Sequence, residues 1–504
     1  MMLFIAILCI VLAVLGTPLF AIFGAASMLL FNALADTPII GATNDVFSEK
    51  FADSPLLVTI PLFTFAGYVL AESGTPRRLV ELSRAWLGWL PGGLVLVCII
   101  ASAFFTTFTG GSGVTIVAIG GLMYPVLVAE KYEERFSLGI VTSGGSLGLL
   151  FPPSVPIVLY GVVAGLSIEG LFAAGFLPGL LTLFVLGAYG MWKGRSLGIE
   201  RTPFVFKEAV RTLWVAKWEA ALPIVLVLGM GLGFLRLHEA AAFTAAYVLF
   251  IEVFVYRDVT FRRDLPRIIG DSMTLVGAIL IILASAIGFT AYMIQAEVPM
   301  KIFEAIQGFV ETKWGFLLVL NLFLILAGMM MDIFSAIVVI TPLIVPIAEN
   351  YGVDLFHLGI VFLLNLEIGY MTPPVGMNLF IASFRFGKSI LELIRAVIPF
   401  IGLLFVALIV TTYYEPLTTG PVNFLRERGI VPEAIERTSG DEPIDLYAPE
   451  YDDLDEDLDL DSLLDDLDDL DDLEDAESED GAAEAAADDE APDGGDTIDE
   501  DALP

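Results

Sequence analysis

The sequence predicts an all-α polytopic membrane protein with two inverted-topology repeats, each holding a re-entrant helical hairpin and a Pro-Pro-broken transmembrane helix, an elevator-type ion-transporter fold. Three observations carry this: a composition too apolar for a soluble domain, a series of motifs that occurs twice at one spacing, and helix breakers inside apolar segments. The 504 residues are 57% hydrophobic with mean hydropathy +0.81. A soluble chain of this length cannot bury that much apolar surface. The formal charge of −36 belongs mostly to one end, because 31 acidic residues and no Lys or Arg follow from Asp441 onward. The preceding 440 residues hold 30 acids against 25 bases, so a nearly neutral membrane body carries an acidic tail. No basic footprint for nucleic acid is present.

Spanning the hydrocarbon takes about 20 apolar residues. Candidate segments lie near 3–34, 55–72, 86–108, 114–129, 136–165, 171–192, 220–236, 240–256, 272–295, 314–331, 336–349, 355–386 and 395–414. The stretch from Met1 to Leu34 lacks a basic leader and is too long for a signal core, so it reads as a retained first span. Cys9 and Cys98 sit in apolar runs and act as small hydrophobes, implying no disulfide or thiolate metal site. Residues 193–219 carry six Lys and Arg with Trp214 and Trp218, either an amphipathic stretch lying on the membrane surface or a plain basic loop. With the N-terminus inside, segments 73–85, 130–135, 193–219, 257–268 and 384–395 become cytoplasmic and take 18 of the 25 basic residues. The acidic tail then lies outside.

Ile116 to Pro125 resembles Ile337 to Pro346; each is followed by Leu-Gly-Ile-Val, at 138–141 and 358–361, and then by a Pro-Pro pair. Pro125 to Pro152 and Pro346 to Pro373 are both 27 residues. Under the charge-derived topology the copies enter the membrane from opposite sides, a pattern of secondary transporters. The chain thus divides into scaffold helices (1–85), a first repeat (86–192; hairpin tip 108–115, broken helix 136–165), a linker (193–219), further scaffold helices (220–313), a second repeat with the last span (314–414; tip 328–336, broken helix 355–386), and an extramembrane acidic tail (415–504) that is expected to be disordered.

The breaks carry the chemistry. Proline lacks an N–H and clashes with the preceding turn, and unwound backbone at membrane depth occurs only where it lines a buried or wet cavity. Carbonyls and half-helix C-termini freed there suit Na⁺, whereas half-helix N-termini suit a carboxylate. Candidate Na⁺ ligands are Thr109, Gly110, Ser112, Thr115, Pro152, Gly328, Asp332, Ser335, Thr372 and Gly376; candidate substrate contacts are Ser112, Ser154, Asp332 and Asn378. Asp332 is the sharpest signal, because an intramembrane carboxylate is costly unless paired; its plain alternative is a helix N-cap. Glu367 and Asn365 either reach this site or pair with a neighbouring helix. Gly67, Gly88, Gly92 and Gly93 read as helix-packing contacts, and each hydroxyl competes with a bond to its own backbone.

At these residues the chain resembles the large membrane subunit of a tripartite ATP-independent periplasmic (TRAP) transporter of C4-dicarboxylate type. The resemblance is carried by Thr109 to Thr115, "GLLFPPSVPIVLYG" (148–161), "SIEGLFAAGFLPG" (167–179), "GMMMDIFSAIVVITPLIVPIAENYGVD" (328–354) and "HLGIVFLLNLEIGYMTPPVGMNLF" (357–380), and covers about residues 1 to 420. It implies a Na⁺-coupled, elevator-type importer in a bacterial or archaeal-type cytoplasmic membrane. An extracytoplasmic solute-binding protein would deliver an organic acid, and a small four-helix subunit, here a separate chain, would support the large one. The first tip departs from the family's usual Ser-Gly-Ser-Ser by reading Gly-Gly-Ser-Gly at 110–113, with two hydroxyls fewer.

Two other classes compete. "GGSG" (110–113) fits a rhomboid-like intramembrane serine protease with Ser112 as nucleophile, and "GGSLG" (144–148) fits a nucleophile elbow. Both need a base within hydrogen-bond reach, and the only histidines, His238 and His357, fall near outer ends of segments. A stand-alone anion carrier or channel is the other alternative.

Overall fold

The computed structural model describes residues 17–34, 57–199, 203–231, 234–296 and 298–428, with Leu12 besides. Most of residues 3–16 of the expected first span, and the acidic tail beyond residue 428, lie outside them. The described residues are helical with no strand, and seven helices among them are long and apolar enough to cross a membrane.

The chain opens with α1 (Leu19–Leu34) and α2 (Thr59–Glu72). The next basic connection forms a helix of its own, α3 (Thr75–Leu87), with Pro76 in its first turn, where a missing N–H is harmless. The first repeat follows as α4 (Gly93–Thr109), α5 (Ser112–Ala129), α6 (Glu134–Ser143), α7 (Val155–Ala164) and α8 (Ile168–Ser196). Within α5, residues Ile116–Gly120 widen into a π turn, and the Val117 carbonyl accepts from Arg385 Nε at 3.0 Å.

The linker contains α9 (Phe206–Val215), and α10 (Lys217–Gly231) follows it. Helix α9 buries Ala209 against α3, where Trp86 Nε1 donates to the Ala209 carbonyl at 3.2 Å, and turns Phe206 and Trp214 outward. The stretch is therefore a helix with one buried and one exposed face, not a plain loop. Helices α11 (Leu237–Val255), α12 (Asp264–Gln295) and α13 (Val298–Gln307) lead to the second repeat.

The second repeat repeats the first in order: α14 (Lys313–Met330), α15 (Ile333–Asn350), α16 (Leu355–Gly369), α17 (Met377–Phe386) and α18 (Ile390–Tyr413). A further helix, α19 (Pro416–Arg426), lies where the sequence reading starts the tail. It is anchored by Thr418, whose hydroxyl meets His357 Nδ1 at 2.8 Å, so the ordered body extends beyond residue 415.

Helix α18 measures the inversion. Its 24 residues span about 36 Å at 1.5 Å per residue. Just before its first end, Lys388 pairs with Glu134, at the start of α6. The feet of the first hairpin sit with this group, since Arg84 reaches Glu130 at 3.5 Å and Glu133 meets Lys193 at 2.9 Å. Just past the other end, Glu415 pairs with Lys313 at 2.5 Å, and Lys313 also donates to the Gly352 carbonyl at 2.8 Å, joining the feet of the second hairpin. The two hairpins therefore enter from opposite ends of the body. Their broken helices cross in opposite directions.

The same end that holds Lys388 gathers every segment that the basic residues assign to one side. Arg267 pairs with Glu72, and Arg78 binds Glu219, Asp258 and both oxygens of Glu252, the latter at 2.8 and 2.9 Å. The Arg78 guanidinium also lies 3.7 Å over the Tyr256 ring. Burial works against its charge, but the Glu219, Asp258 and Glu252 carboxylates outweigh that penalty and raise its pKa.

Candidate functional site

The site is assembled from four interruptions. In the first repeat, α6 tightens into a short 3₁₀ turn at Gly144–Ser146, and the chain then runs through Pro152 and Pro153 before restarting as α7. Ser154 is the N-cap of α7, yet its side chain caps nothing. In the second repeat, α16 stops at Gly369, passes Pro373 and Pro374, and restarts as α17 behind Gly376. Gly376 sits at φ +51°, a left-handed conformation that other residues rarely adopt. Both Pro-Pro bonds are cis.

Each tip folds onto the break of its own repeat. Gly110 ends α4 at φ +62°, and a Cβ there would fall 2.9 Å from that of Val155 at the start of α7. Backbone meets backbone at the second tip, where a Cβ on Gly328 would lie 3.1 Å from the Leu366 Cα and one on Gly369 would lie 2.7 Å from the Gly328 Cα. The Met329 carbonyl also accepts from Gly376 N at 3.3 Å. Gly67 packs α2 against this layer with no room for a side chain, since a Cβ would meet the Phe108 carbonyl oxygen at 2.4 Å.

The repeats then meet each other. Ser112 Oγ, at the first tip, donates to Asn378 Oδ1, in the first turn of α17, at 2.7 Å in a buried setting. Asn378 Nδ2 and Ser154 Oγ are both buried with no hydrogen-bond partner among the described residues. Two restarting helices thus each present an unpaired polar group beside their N-terminal N–H groups. That combination has the donors needed to hold an anion.

Asp332 takes the N-cap geometry. Its Oδ1 accepts from Phe334 N and Ser335 N, both at 3.0 Å, and its Oδ2 accepts from Ser335 Oγ. A carboxylate already fills the N-terminus of α15, so a second carboxylate is unwelcome there, whereas a cation beside it is not. The remaining hydroxyls divide. Thr115 Oγ1 meets Thr106 Oγ1 at 2.8 Å, and Thr106 also reaches the Gly145 carbonyl at 2.8 Å, tying first tip to first break. Thr109 donates to the Gly111 carbonyl across its own tip at 3.4 Å. Thr372 bonds back to the Ile368 carbonyl at 2.7 Å. Pro152 shapes the break, and nothing in its surroundings marks it as a ligand.

Asn365 pairs with neighbouring helices. Its Nδ2 donates to Asn321 Oδ1 at 2.7 Å, and Asn321 Nδ2 donates to Thr412 Oγ1 at 3.2 Å, a polar ladder linking α16, α14 and α18. Glu367 instead lies between the two breaks, with Ser146 Oγ 3.3 Å from its Oε1. Sequence reasoning missed Tyr370, whose buried hydroxyl has no partner among the described residues and whose carbonyl accepts from Asn378 N at 3.1 Å. Its place beside the Thr-Pro-Pro break was the available signal. Among the described residues no protease arrangement forms at Ser112 or Ser146: their hydroxyls face Asn378 and Glu367, while His357 Nδ1 faces Thr418.

Residues 6–417 match the family model of the tripartite ATP-independent periplasmic transporter, DctM component. The isethionate TRAP transporter permease protein DctMQ of Oleidesulfovibrio alaskensis is 36% identical over 402 residues, 79% of this chain and 63% of that one, so the chain spans under two thirds of that relative. The C4-dicarboxylate TRAP transporter large permease protein DctM of Vibrio cholerae is 31% identical over 433 residues, 82% of this chain and 95% of the relative. Among solved structures, the Alcanivorax borkumensis YdaH transporter superposes with TM-score 0.57 at 15% identity, covering 83% of this chain and 99% of that one, which supports the fold alone. With its inverted hairpins, paired breaks and a family match over residues 6–417, the chain belongs to the DctM-component family of tripartite ATP-independent periplasmic transporters.

Proposed function

We propose that this chain is the membrane permease of a Na⁺-driven importer of organic acids. The observation that carries the reading is the pair of unpartnered buried groups, Ser154 Oγ and Asn378 Nδ2, at the N-termini of α7 and α17. An organic carboxylate would accept from them and from the adjacent helix N–H groups. The named substrates of the two relatives are organic anions of different kinds, isethionate and C4-dicarboxylates, in keeping with a site that grips an acidic group. Na⁺ is co-transported cargo, held by oxygen donors at the tips and breaks, with Asp332 and Ser335 at the second tip and the Ser112 region at the first.

Substrate and Na⁺ together would offset the charge that each brings alone into a low-dielectric site. Alternating access would follow by elevator movement of the unit formed by the tips and breaks against the scaffold helices. A solute-binding protein would deliver the acid from outside and a separate small subunit would brace the scaffold. The basic end formed around Arg78, Glu134 and Lys388 would be cytoplasmic, by the excess of Lys and Arg there. Uptake of labelled organic acids into proteoliposomes holding this chain, the small subunit and the binding protein tests the reading. Accumulation that fails without the binding protein is expected, and equal uptake in its absence indicates a self-sufficient carrier.

A further inference from the structure

Glu367 is the one buried carboxyl at the junction of the repeats that the proposed transport cycle does not use. It lies on α16, every described residue of which from Phe356 to Gly369 is buried, and it is itself 1% exposed. No Lys, Arg or His forms an ion pair with it among the described residues, although the ion pairs of the body cluster at its two ends. The polar groups around it are neutral: Asn365 is engaged with Asn321, the Tyr370 hydroxyl lies buried one turn on, and Ser146 faces the carboxyl from the first break.

Ser146 shows what the carboxyl carries. Its Oγ lies 3.3 Å from Glu367 Oε1 and 3.5 Å from the Ser143 carbonyl oxygen. A hydroxyl has one proton and can satisfy only one of these acceptors. If Glu367 is protonated, its O–H donates to Ser146 Oγ and the Ser146 O–H donates to the Ser143 carbonyl, so both contacts are made. An ionised Glu367 would be a buried charge with one neutral partner, which a low-dielectric interior does not hold.

We propose that Glu367 is a proton-binding site of this protein, loaded in the arrangement seen here, through which the broken helices of the two repeats are hydrogen-bonded at membrane depth. The proton is the ligand, because a Na⁺ ion needs several oxygens, whereas among the described residues Ser146 is the hydrogen-bond partner the carboxyl has. Loss of the Ser146 contact would expose the carboxyl to proton exchange.

Infrared spectroscopy of the full chain in lipid nanodiscs tests this without any transport assay, so its outcome is independent of the proposed substrate and coupling ion. The wild-type minus Glu367→Gln difference spectrum at neutral pH is expected to contain a protonated-carboxyl C=O band that shifts down in D₂O. A difference spectrum with only ionised-carboxylate bands overturns the proposal. If Glu367→Gln does not fold, ¹³C-glutamate labelling of Ser146→Ala and wild-type protein gives the same decision. A protonated-carboxyl band whose frequency changes on loss of the Ser146 hydroxyl supports the site, and a band that is absent or unmoved overturns it.

Discussion

Ser112 Oγ donates to Asn378 Oδ1 at 2.7 Å across 266 positions of sequence, joining the first hairpin tip to the helix that restarts after the second break. A single bond thus places elements of both repeats in one site. Losing one partner leaves the other buried and unsatisfied, at about 1–3 kcal/mol. Ser112→Ala and Asn378→Ala are each expected to reduce uptake, and the double variant to be scarcely worse than Asn378→Ala, which a double-mutant cycle of uptake and thermal stability measures. Additive losses would mean that the two act separately.

Ser154 offers the opposite case. Its hydroxyl has no partner among the described residues, so Ser154→Ala removes no protein hydrogen bond. Thermal stability is expected to hold or rise slightly, while apparent KM for the acid rises about tenfold or more, in line with about 1.5–3 kcal/mol for a hydrogen bond to a charged ligand. A stability loss without a KM change would make the group structural.

Asp332 combines a cap and a charge, and substitution separates them. Asp332→Ser keeps an oxygen for the N–H groups of Phe334 and Ser335, whereas Asp332→Ala removes the cap at about 0.5–2 kcal/mol. Both variants are expected to lose Na⁺ stimulation of uptake, and only Asp332→Ala to lose appreciable thermal stability. Full Na⁺ dependence in Asp332→Ser would leave the residue as a cap alone.

The Glu134–Lys388 pair ties the start of α6 to the loop before α18 at the charged end. The hydrogen bond from Lys388, aided by Tyr124, lowers the Glu134 pKa, and the same pair raises that of Lys388. A lowered carboxyl pKa contributes stability that is full above its unfolded value and is lost as pH falls through the folded one. The raised lysine value gives a contribution present below its unfolded value and lost as pH rises through the folded one. Glu134→Gln is expected to flatten the acid limb of the melting-temperature profile, more at low salt than at high salt. An unchanged acid limb at low salt would show the pair to be inert.

The Arg78 cluster makes a prediction about stability. Its three carboxylate partners include the nearly inaccessible Glu219 and Glu252, so Arg78→Ala strands buried charge and is expected to cost about 3–5 kcal/mol. Arg78→Lys is expected to rescue little, because one ammonium cannot reproduce the fork on both Glu252 oxygens. Detergent melting curves of both variants decide it.

Legibility in the sequence followed the range of the interactions. Pro152, Pro153, Pro373 and Pro374 act on their own turns, so both breaks and the repeat that contains them could be read directly. The gathering of the charged segments at one end was also legible, because Lys and Arg placement is local. The Ser112–Asn378 and Ser146–Glu367 contacts join residues more than 200 positions apart, and no local pattern marks them. Arg78 read as one more loop charge, although Glu252 inside an apolar run was a signal that a cation had to meet it. Asp332 was visible as an unusual intramembrane carboxylate, but sequence could not choose between cap and ligand, since one geometry serves both.

The most direct test of one site built from both repeats is Na⁺-gradient-driven accumulation of a labelled organic acid in proteoliposomes, comparing wild type with Ser154→Ala and Asn378→Ala. The account predicts Na⁺-dependent accumulation in wild type and a marked loss in both variants, one from each repeat. Uptake indifferent to Na⁺, or unimpaired in either variant, would contradict it.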